Sequence, residues 1–393
     1  MSDLDYILSP QAIRDGAKKI HEAALAGDTH FRLDETKLAP TVEYVLATIR
    51  QNYPDLKIPF HSRWGHFRPG GVDRARWLEA KLPPEDALER ARVKLDLVIP
   101  SVLLDAGAGA AWIYKERETH NQYNRSEGLG VASFHMFMRG GFARDRKSLM
   151  SDALGLQNVT AHDIELAFQV SAPNPLVGVE GRALLLNNLG KALENTTYFK
   201  DGRPGNLIDY LVAKYGKTIP ATGLLRAVLD ALGPIWPGRL QMDGVNLGDV
   251  WEHSQFGRIA FHKLSQWMTY SLVEPIEEAG LKVEGAEQLT GLAEYRNGGL
   301  MLDGGLLQFR HPGEENKSWA PDSDLIIEWR ALTVWYLDAI GAAVQKALGK
   351  SPAEFPLAKV LEGGTWWAGR RIAAEKREGG GPPLNIISDG TVF

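Results

Sequence analysis

A chain of 393 residues, 44% of them hydrophobic, can bury a large core, which excludes a disordered protein. Its formal net charge of −5, with 24% charged residues, offers no broad basic surface and so excludes polymeric nucleic acid as the expected partner. A small phosphorylated ligand stays open, because a few well-placed Arg or Lys side chains hold a phosphate whatever the total charge. With no cysteine, disulfides, thiolate nucleophiles, Cys-ligated zinc and iron–sulfur clusters all drop out.

Ser9-Pro10 reads as an N-cap followed by a first-turn proline, and Ile13, Ala17, Ile20 and Ala24 recur at helical spacing until Gly27. A second amphipathic helix carries Val42, Val45, Leu46 and Ile49 and stops by Pro54. A third starts after Pro83-Pro84 and carries Leu88, Ala91, Leu95 and Val98 up to Pro100. Between these two lies the loop IPFHSRWGHFRPGG. From Leu104 to Phe142, Gly-rich pieces alternate with aromatic and charged residues without a clean period, which predicts irregular structure. Helices return after Thr160, where TAHD has the form of a capping box, and again with Val179, Ala183, Leu186 and Leu193.

Further helical segments are GNLIDYLVAKYG, ATGLLRAVLDALG, RIAFHKLSQWMTYSLVEPIEEAG, DSDLIIEWRALTVWYLDAIGAAVQKALG and, beyond Ser351 and Glu354, TWWAGRRIAAEKRE. Strand signals are few: LMLDGGLLQF has the pattern of a hairpin around Asp303-Gly304, and PLNIISDGTVF that of an extended tail. No repeat, low-complexity linker or charge block marks a hinge. The expected fold class is therefore mainly α with short strands or hairpins, one composite helical domain over 1–393, loosely divisible into 1–145 and 146–393. No window approaches the roughly 18 apolar residues of a membrane span, and MSDLDYILSPQ has no basic, apolar leader, so a cytoplasmic protein is expected.

The P-loop, H-E-x-x-H and G-x-S-x-G motifs are missing, as is a Thr-Gly-Thr phosphate loop of the phosphoribosyltransferase kind. No histidine pairs with a carboxylate at recognisable ligand spacing, so neither a metal nor a cofactor is expected. What remains is a set of clusters. His61, Arg63, Trp64, His66 and Arg68 crowd one short loop, which fits a phosphate or sugar contact and equally a surface loop pinned by Trp64. Lys263, Trp267 and Tyr270 share a helix face, a pattern that on its own reads first as a lysine lying over a buried indole. Glu294-Tyr295-Arg296 stands in a glycine-bounded segment and by itself has the look of a solvated turn. Trp366-Trp367 with Arg370-Arg371, one helical turn apart, suits stacking on a planar ligand or holding its phosphate, with core packing and exposed arginines as the alternative. Arg125, Ser126, Glu127, Ser133 and His135 offer hydroxyl or amide contacts, or ordinary loop polarity.

Taken together, FHSRWGHFRPGG, RSEGLGVASFHMFMRGG, FHKLSQWMTYSLVEPIEEAG, GLAEYRNGGLMLDGG and SDGTVF resemble, nearly end to end, the fungal and bacterial family called uracil catabolism protein four. The resemblance implies a role in the pathway that opens the pyrimidine ring of a uracil nucleotide and releases urea through a ribosylurea-type intermediate. From residue 160 onward the motif order is also similar to the queuosine 5′-phosphate salvage hydrolases, helical N-glycosidases related to DNA glycosylases. There a lysine-bearing helix precedes a short Asp-Tyr-Arg element, which Lys263 and Glu294-Tyr295-Arg296 match, and PNPLVGVEGRALLLNNLGKAL resembles the helix before them. Two departures stand out: Glu replaces Asp, and NGGLMLDGGLL occupies a segment expected to be helical in that family.

These likenesses imply roles. Glu294 would stabilise an oxocarbenium-like ribosyl cation and orient or deprotonate water, while Lys263 or Arg296 anchors a 5′-phosphate or polarises the leaving group. Trp64, Phe137 and Trp267 would exclude water from the ribose, and Glu127, Ser133 and His135 would contact urea. His61, Arg63, His66, Tyr295 and Arg370 complete the expected ligand contacts. The expected function is N-glycosidic hydrolysis of ribosylurea, as the 5′-phosphate, or of a related pyrimidine-derived nucleotide. The alternatives are a phosphoribosyl transferase acting on uracil and a non-catalytic nucleotide sensor. The expected partner is a small nucleoside or nucleotide, with neither polymeric nucleic acid nor a membrane.

Overall fold

The structure, a computed structural model, describes residues 2–105, 107–109, 111–236 and 240–387; the SDGTVF motif at 388–393 lies outside them. The chain is mainly α, as its period-3.6 segments predict. Helix α1, Pro10–Ala26, begins with Ser9 Oγ accepting the Ala12 N–H and Pro10 in the first turn, and ends at Gly27 with φ 95°. The expected capping box closes at Thr160 and Asp163.

Helix α2, Ala87–Leu103, runs through Pro100 instead of stopping there. Proline has no N–H for the carbonyl four residues back, and the carbonyl so freed, that of Asp96, accepts from the Ser151 hydroxyl at 2.6 Å. The region expected to be irregular contains helix α3, Arg125–Met138. Its glycines hid the period for a steric reason. A Cβ on Gly128 would stand 2.9 Å from the Tyr123 carbonyl oxygen and one on Gly130 2.8 Å from that of His66. Helix α4, Lys263–Glu278, also contains a proline, Pro275, and the Ser271 carbonyl it frees accepts from Trp64 Nε1 at 2.8 Å.

Two sequence expectations fail around these helices. Arg258–Ala260, read as the start of α4, belongs instead to the strand Gly257–Ala260, paired antiparallel with Val250–His253. The break falls at His262, whose φ of 47° costs a non-glycine residue about 1–2 kcal/mol and whose Nε2 donates to the Ile7 carbonyl at 2.9 Å. There is likewise no hairpin at Asp303-Gly304. Tyr295–Asp303 forms helix α5, with Leu300 and Met301 fully buried, and β1, Phe31–Leu33, pairs antiparallel with β2, Leu307–Phe309. Gly298 lets α5 settle on Trp329, whose ring a Cβ would meet at 2.4 Å. Two more helices complete the set used below: α6, Asp324–Leu348, and α7, Trp366–Lys376, entered through a turn of π-helix at Leu361–Thr365.

The described residues form two compact units drawn from alternating stretches of chain. The first takes in 2–61, 240–266 and 285–387; the second takes in 62–236 and 267–284. In the first, α6 packs along α1, with His21 stacked on Trp335 at 4.2 Å, Arg14 paired to Asp338 at 2.8 Å, and the Tyr336 hydroxyl donating to Glu35 at 2.8 Å. The second is pinned by a fully buried ion pair: Arg74 donates to both oxygens of Glu116 at 2.6 and 2.5 Å, with His135 at 2.8 Å and the Thr119 hydroxyl at 2.5 Å. Burial alone would raise the Glu116 carboxyl, but the bonds from Arg74, His135 and Thr119 outweigh it and hold it at about 2. A depressed carboxylate stabilises the fold above its ordinary value of 4.5, and that contribution is lost as pH falls toward about 2. Glu116→Gln should therefore lower stability at neutral pH by about 3 kcal/mol, since it leaves a buried guanidinium without its counter-charge. It should also flatten the acid-side loss. Urea unfolding of both proteins from neutral pH down to the acid limb measures each effect.

Candidate active site

Glu294 does not sit in a solvated turn. It is 7% exposed and caps α5: Oε2 accepts the Arg296 N–H at 2.8 Å and Oε1 the Asn297 N–H at 2.6 Å. Burial pushes its carboxyl up. The two backbone N–H groups oppose that, as do Lys263 and His61, which lie close enough to act on it electrostatically. The first unit thus brings a water-poor carboxylate, an ammonium and an imidazole together from three distant parts of the chain.

Each partner is fixed by its own support. The Lys263 N–H at the head of α4 donates to Asp249 Oδ2 at 2.9 Å, and Arg330 of α6 grips both Asp249 oxygens at 2.8 and 2.7 Å. Burial would raise Asp249, but Arg330, Trp251 and the Lys263 N–H outweigh it and keep the carboxyl well below the usual range. His61 is tied twice: its N–H donates to the Ala358 carbonyl at 3.0 Å, and Nδ1 bonds Glu362 Oε2 at 2.7 Å. The Tyr53 hydroxyl donates to the other Glu362 oxygen at 3.2 Å, and burial beside that carboxylate pushes the phenol up. Glu362 belongs to the π turn, an element that recurs at functional sites.

The His61 ring lies 5.4 Å from that of Trp366, and the Arg370 guanidinium stands 4.8 Å over Trp366 and 5.0 Å over Trp367. Arg370 is half-buried. Arg296 is different. It is 3% exposed, its Nη1 donates to the Gly380 carbonyl at 2.8 Å, and it lies 4.9 Å over Tyr295. Two buried atoms nearby, Asn297 Oδ1 and Thr365 Oγ1, have no hydrogen-bond partner. Glu362 and Tyr53 were missed in the sequence. Three hundred positions separate the histidine from its carboxylate, and no local spacing betrays such a pair.

The family described as "Protein of unknown function (DUF1688)" matches residues 6–393. The chain belongs to that family. It is 35% identical to "Uracil catabolism protein 4" of Lachancea kluyveri over 439 aligned residues, covering 99% of each chain. It is 39% identical to "Protein urg3" of Schizosaccharomyces pombe over 399 residues, covering 98% of each. The end-to-end resemblance to uracil catabolism protein four drawn from the motifs is thereby borne out.

In this DUF1688 chain Arg371 pairs with Glu375 in the first unit, and the other remaining sequence candidates belong to the second unit, where most are engaged. Arg63, fully buried, donates to Asp105 at 2.5 Å and to Ser101 at 2.7 Å, with His66 Nδ1 at 3.3 Å and its guanidinium 5.6 Å over Trp267. Burial lowers its pKa, against the pull of Asp105 and Glu127. Trp64 is spent on the carbonyl that Pro275 frees. The Ser133 hydroxyl bonds Ser101 at 2.7 Å and the Gly130 carbonyl at 2.9 Å; His135 holds Glu116; Phe137 is fully buried. Among the described residues, Glu116, Glu118 and His135 bring three donor atoms within 4.8 Å of one another. Both Glu116 oxygens already hold Arg74, so a cation there would sit beside a guanidinium.

One glycine determines how closely α7, with Trp366 and Arg370, approaches the head of α5. A Cβ on Gly369 would stand 2.1 Å from the Arg296 carbonyl oxygen, a backbone atom that cannot swing aside. Gly369→Ala should cost about 1–3 kcal/mol by overpacking. Gly181→Ala, in the helix Val179–Ala192 with nothing within 4 Å, should instead stabilise by about 0.5–1 kcal/mol. Thermal unfolding of the two variants distinguishes close approach from a general intolerance of helix changes.

Proposed function

We propose that the protein is an enzyme of uracil catabolism that hydrolyses the N-glycosidic bond of ribosylurea, as its 5′-phosphate, to ribose 5-phosphate and urea. The name of a full-length relative, "Uracil catabolism protein 4", supports the pathway. The observation that carries the reaction is the buried Glu294 carboxylate with Lys263 and His61 beside it. Breaking a C1′–N bond develops positive charge on the ribose ring, and a carboxylate in a dry setting stabilises that charge strongly and takes a proton from the attacking water. One backbone N–H on each oxygen leaves Glu294 further lone pairs for water, since a carboxylate offers about four acceptor positions. Arg370 is the phosphate anchor in this reading, and the indole of Trp366 walls the sugar.

Purified protein incubated with synthetic ribosylurea 5′-phosphate should release urea. Tight binding with no urea formed would overturn the hydrolase in favour of a nucleotide sensor. Glu294→Gln should lower turnover by roughly 10²- to 10⁴-fold while affinity stays close to wild type. Because glutamine offers one acceptor to two backbone N–H groups, the same change should cost about 1 kcal/mol of stability, read from the melting temperature. Wild-type turnover in this variant would reduce Glu294 to a helix cap.

Arg370→Ala has a different signature. It should raise KM for the phosphorylated substrate by roughly 10- to 100-fold, the range of a lost charge-assisted hydrogen bond, and leave KM for unphosphorylated ribosylurea unchanged. Steady-state kinetics on the two substrates side by side gives the comparison.

A further inference from the structure

We infer that His61, oriented by Glu362, is the proton donor to the departing urea, with Glu362 as its positioning residue. This rests on the N-glycosidase reading and extends it to a residue pair that the sequence does not join. Urea is a poor leaving group: its nitrogen cannot depart with the bonding electrons unless a proton arrives as the bond breaks, and a carboxylate that serves the water cannot also serve the opposite end of that bond. The site therefore needs a second titrating group.

His61 meets the requirements on geometry. It is 4% exposed, beside Glu294, and rigid, because its backbone N–H is fixed to Ala358 and its ring to Glu362. With Nδ1 bonded to Glu362 at 2.7 Å, proton exchange with a ligand falls to Nε2, the arrangement in which a carboxylate sets the tautomer and steadies the imidazolium. Tyr53 fixes the carboxylate in turn, and the Trp366 ring stands 5.4 Å from the imidazole. The charged or titrating groups around this histidine are Glu362, bonded to its ring, Glu294, on which both His61 and Lys263 act, and Tyr53, bonded to Glu362 and kept neutral by burial beside that carboxylate.

The step balances as follows. The C1′–N bond breaks with its electron pair going to nitrogen, and the His61 Nε2 proton goes to that nitrogen, giving neutral urea. Water adds its oxygen to C1′ and gives a proton to Glu294, giving ribose 5-phosphate. Glu294 then returns a proton to His61 through solvent, so the only net reactant besides substrate is water.

The test compares two leaving groups. A 4-nitrophenyl riboside 5-phosphate departs as a stable phenolate and needs no proton, whereas ribosylurea 5′-phosphate does. His61→Gln should lower kcat on ribosylurea 5′-phosphate by roughly 10²- to 10⁴-fold but on the nitrophenyl substrate by under about tenfold. Glu362→Gln, which keeps the histidine, should move the alkaline limb of the ribosylurea pH–rate profile to lower pH by roughly one pH unit or more, and the His61 ring titration followed by NMR should move with it. Equal losses of His61→Gln on both substrates, or an alkaline limb unmoved by Glu362→Gln, would overturn the assignment while leaving the hydrolase intact. Wild-type protein inactive on both substrates would instead overturn the N-glycosidase reading and the assignment together. Should His61→Gln not fold, the pH limb and ring titration of Glu362→Gln decide alone.

Discussion

A negative charge placed out of water has to be met by positive charge or by hydrogen-bond donors, and Glu294 states that requirement for the first unit. The head of α5 supplies two backbone N–H groups, and Lys263 and His61 supply the rest. Neither of these two side chains is placed by its neighbours in sequence. Lys263 is positioned by Asp249, which is positioned by Arg330; His61 is positioned by Ala358 and by Glu362, which Tyr53 holds. The strained backbone of His262 and the absent Cβ of Gly369 are what let these supports converge. The helices of this unit are thus the means of delivering partners to one carboxylate.

In the second unit the same rule governs carbonyls. Pro100 and Pro275 each remove a donor from the middle of a helix, and each helix continues because a side chain from elsewhere replaces it, Ser151 in one case and Trp64 in the other. The conspicuous Trp64 of the histidine- and arginine-rich loop therefore has a structural duty. Buried Arg63 and Arg74 follow suit, with guanidinium groups committed to Asp105 and Glu116. Ser62, Arg63, Trp64, His66 and Phe67, in a loop that reads in sequence as a polar surface, are buried.

Most helices were legible because their period and caps are local: Ser9-Pro10 and Gly27, the Thr160 box, the long apolar stripe of α6. What was not legible depended on tertiary contact. Glycines that permit close approach, at 128, 130 and 298, imitate turns and dilute the helical period, which hid α3 and made a hairpin of α5. A proline signals a helix end unless the donor that rescues the carbonyl is known, so α2 read short. Within the candidate site, Lys263, Glu294 and Arg370 could be singled out by residue type and resemblance. Glu362 could not, because its meaning comes from a histidine at the far end of the chain.

The interleaving of the two units has a consequence for how the protein is made. The second unit's main stretch, 62–236, is contiguous and leaves the ribosome in one run, whereas the first waits: β1 is synthesised early, yet its partner β2 emerges only after residue 309. Until then Phe31 and the apolar face of α1, both buried in the native fold, remain without their cover. Closing so long a loop is slow compared with local helix formation, so the nascent chain passes through a state whose N-terminal segment is sticky and unprotected. The late arrival of that cover is thus built into the order in which this sequence is read out.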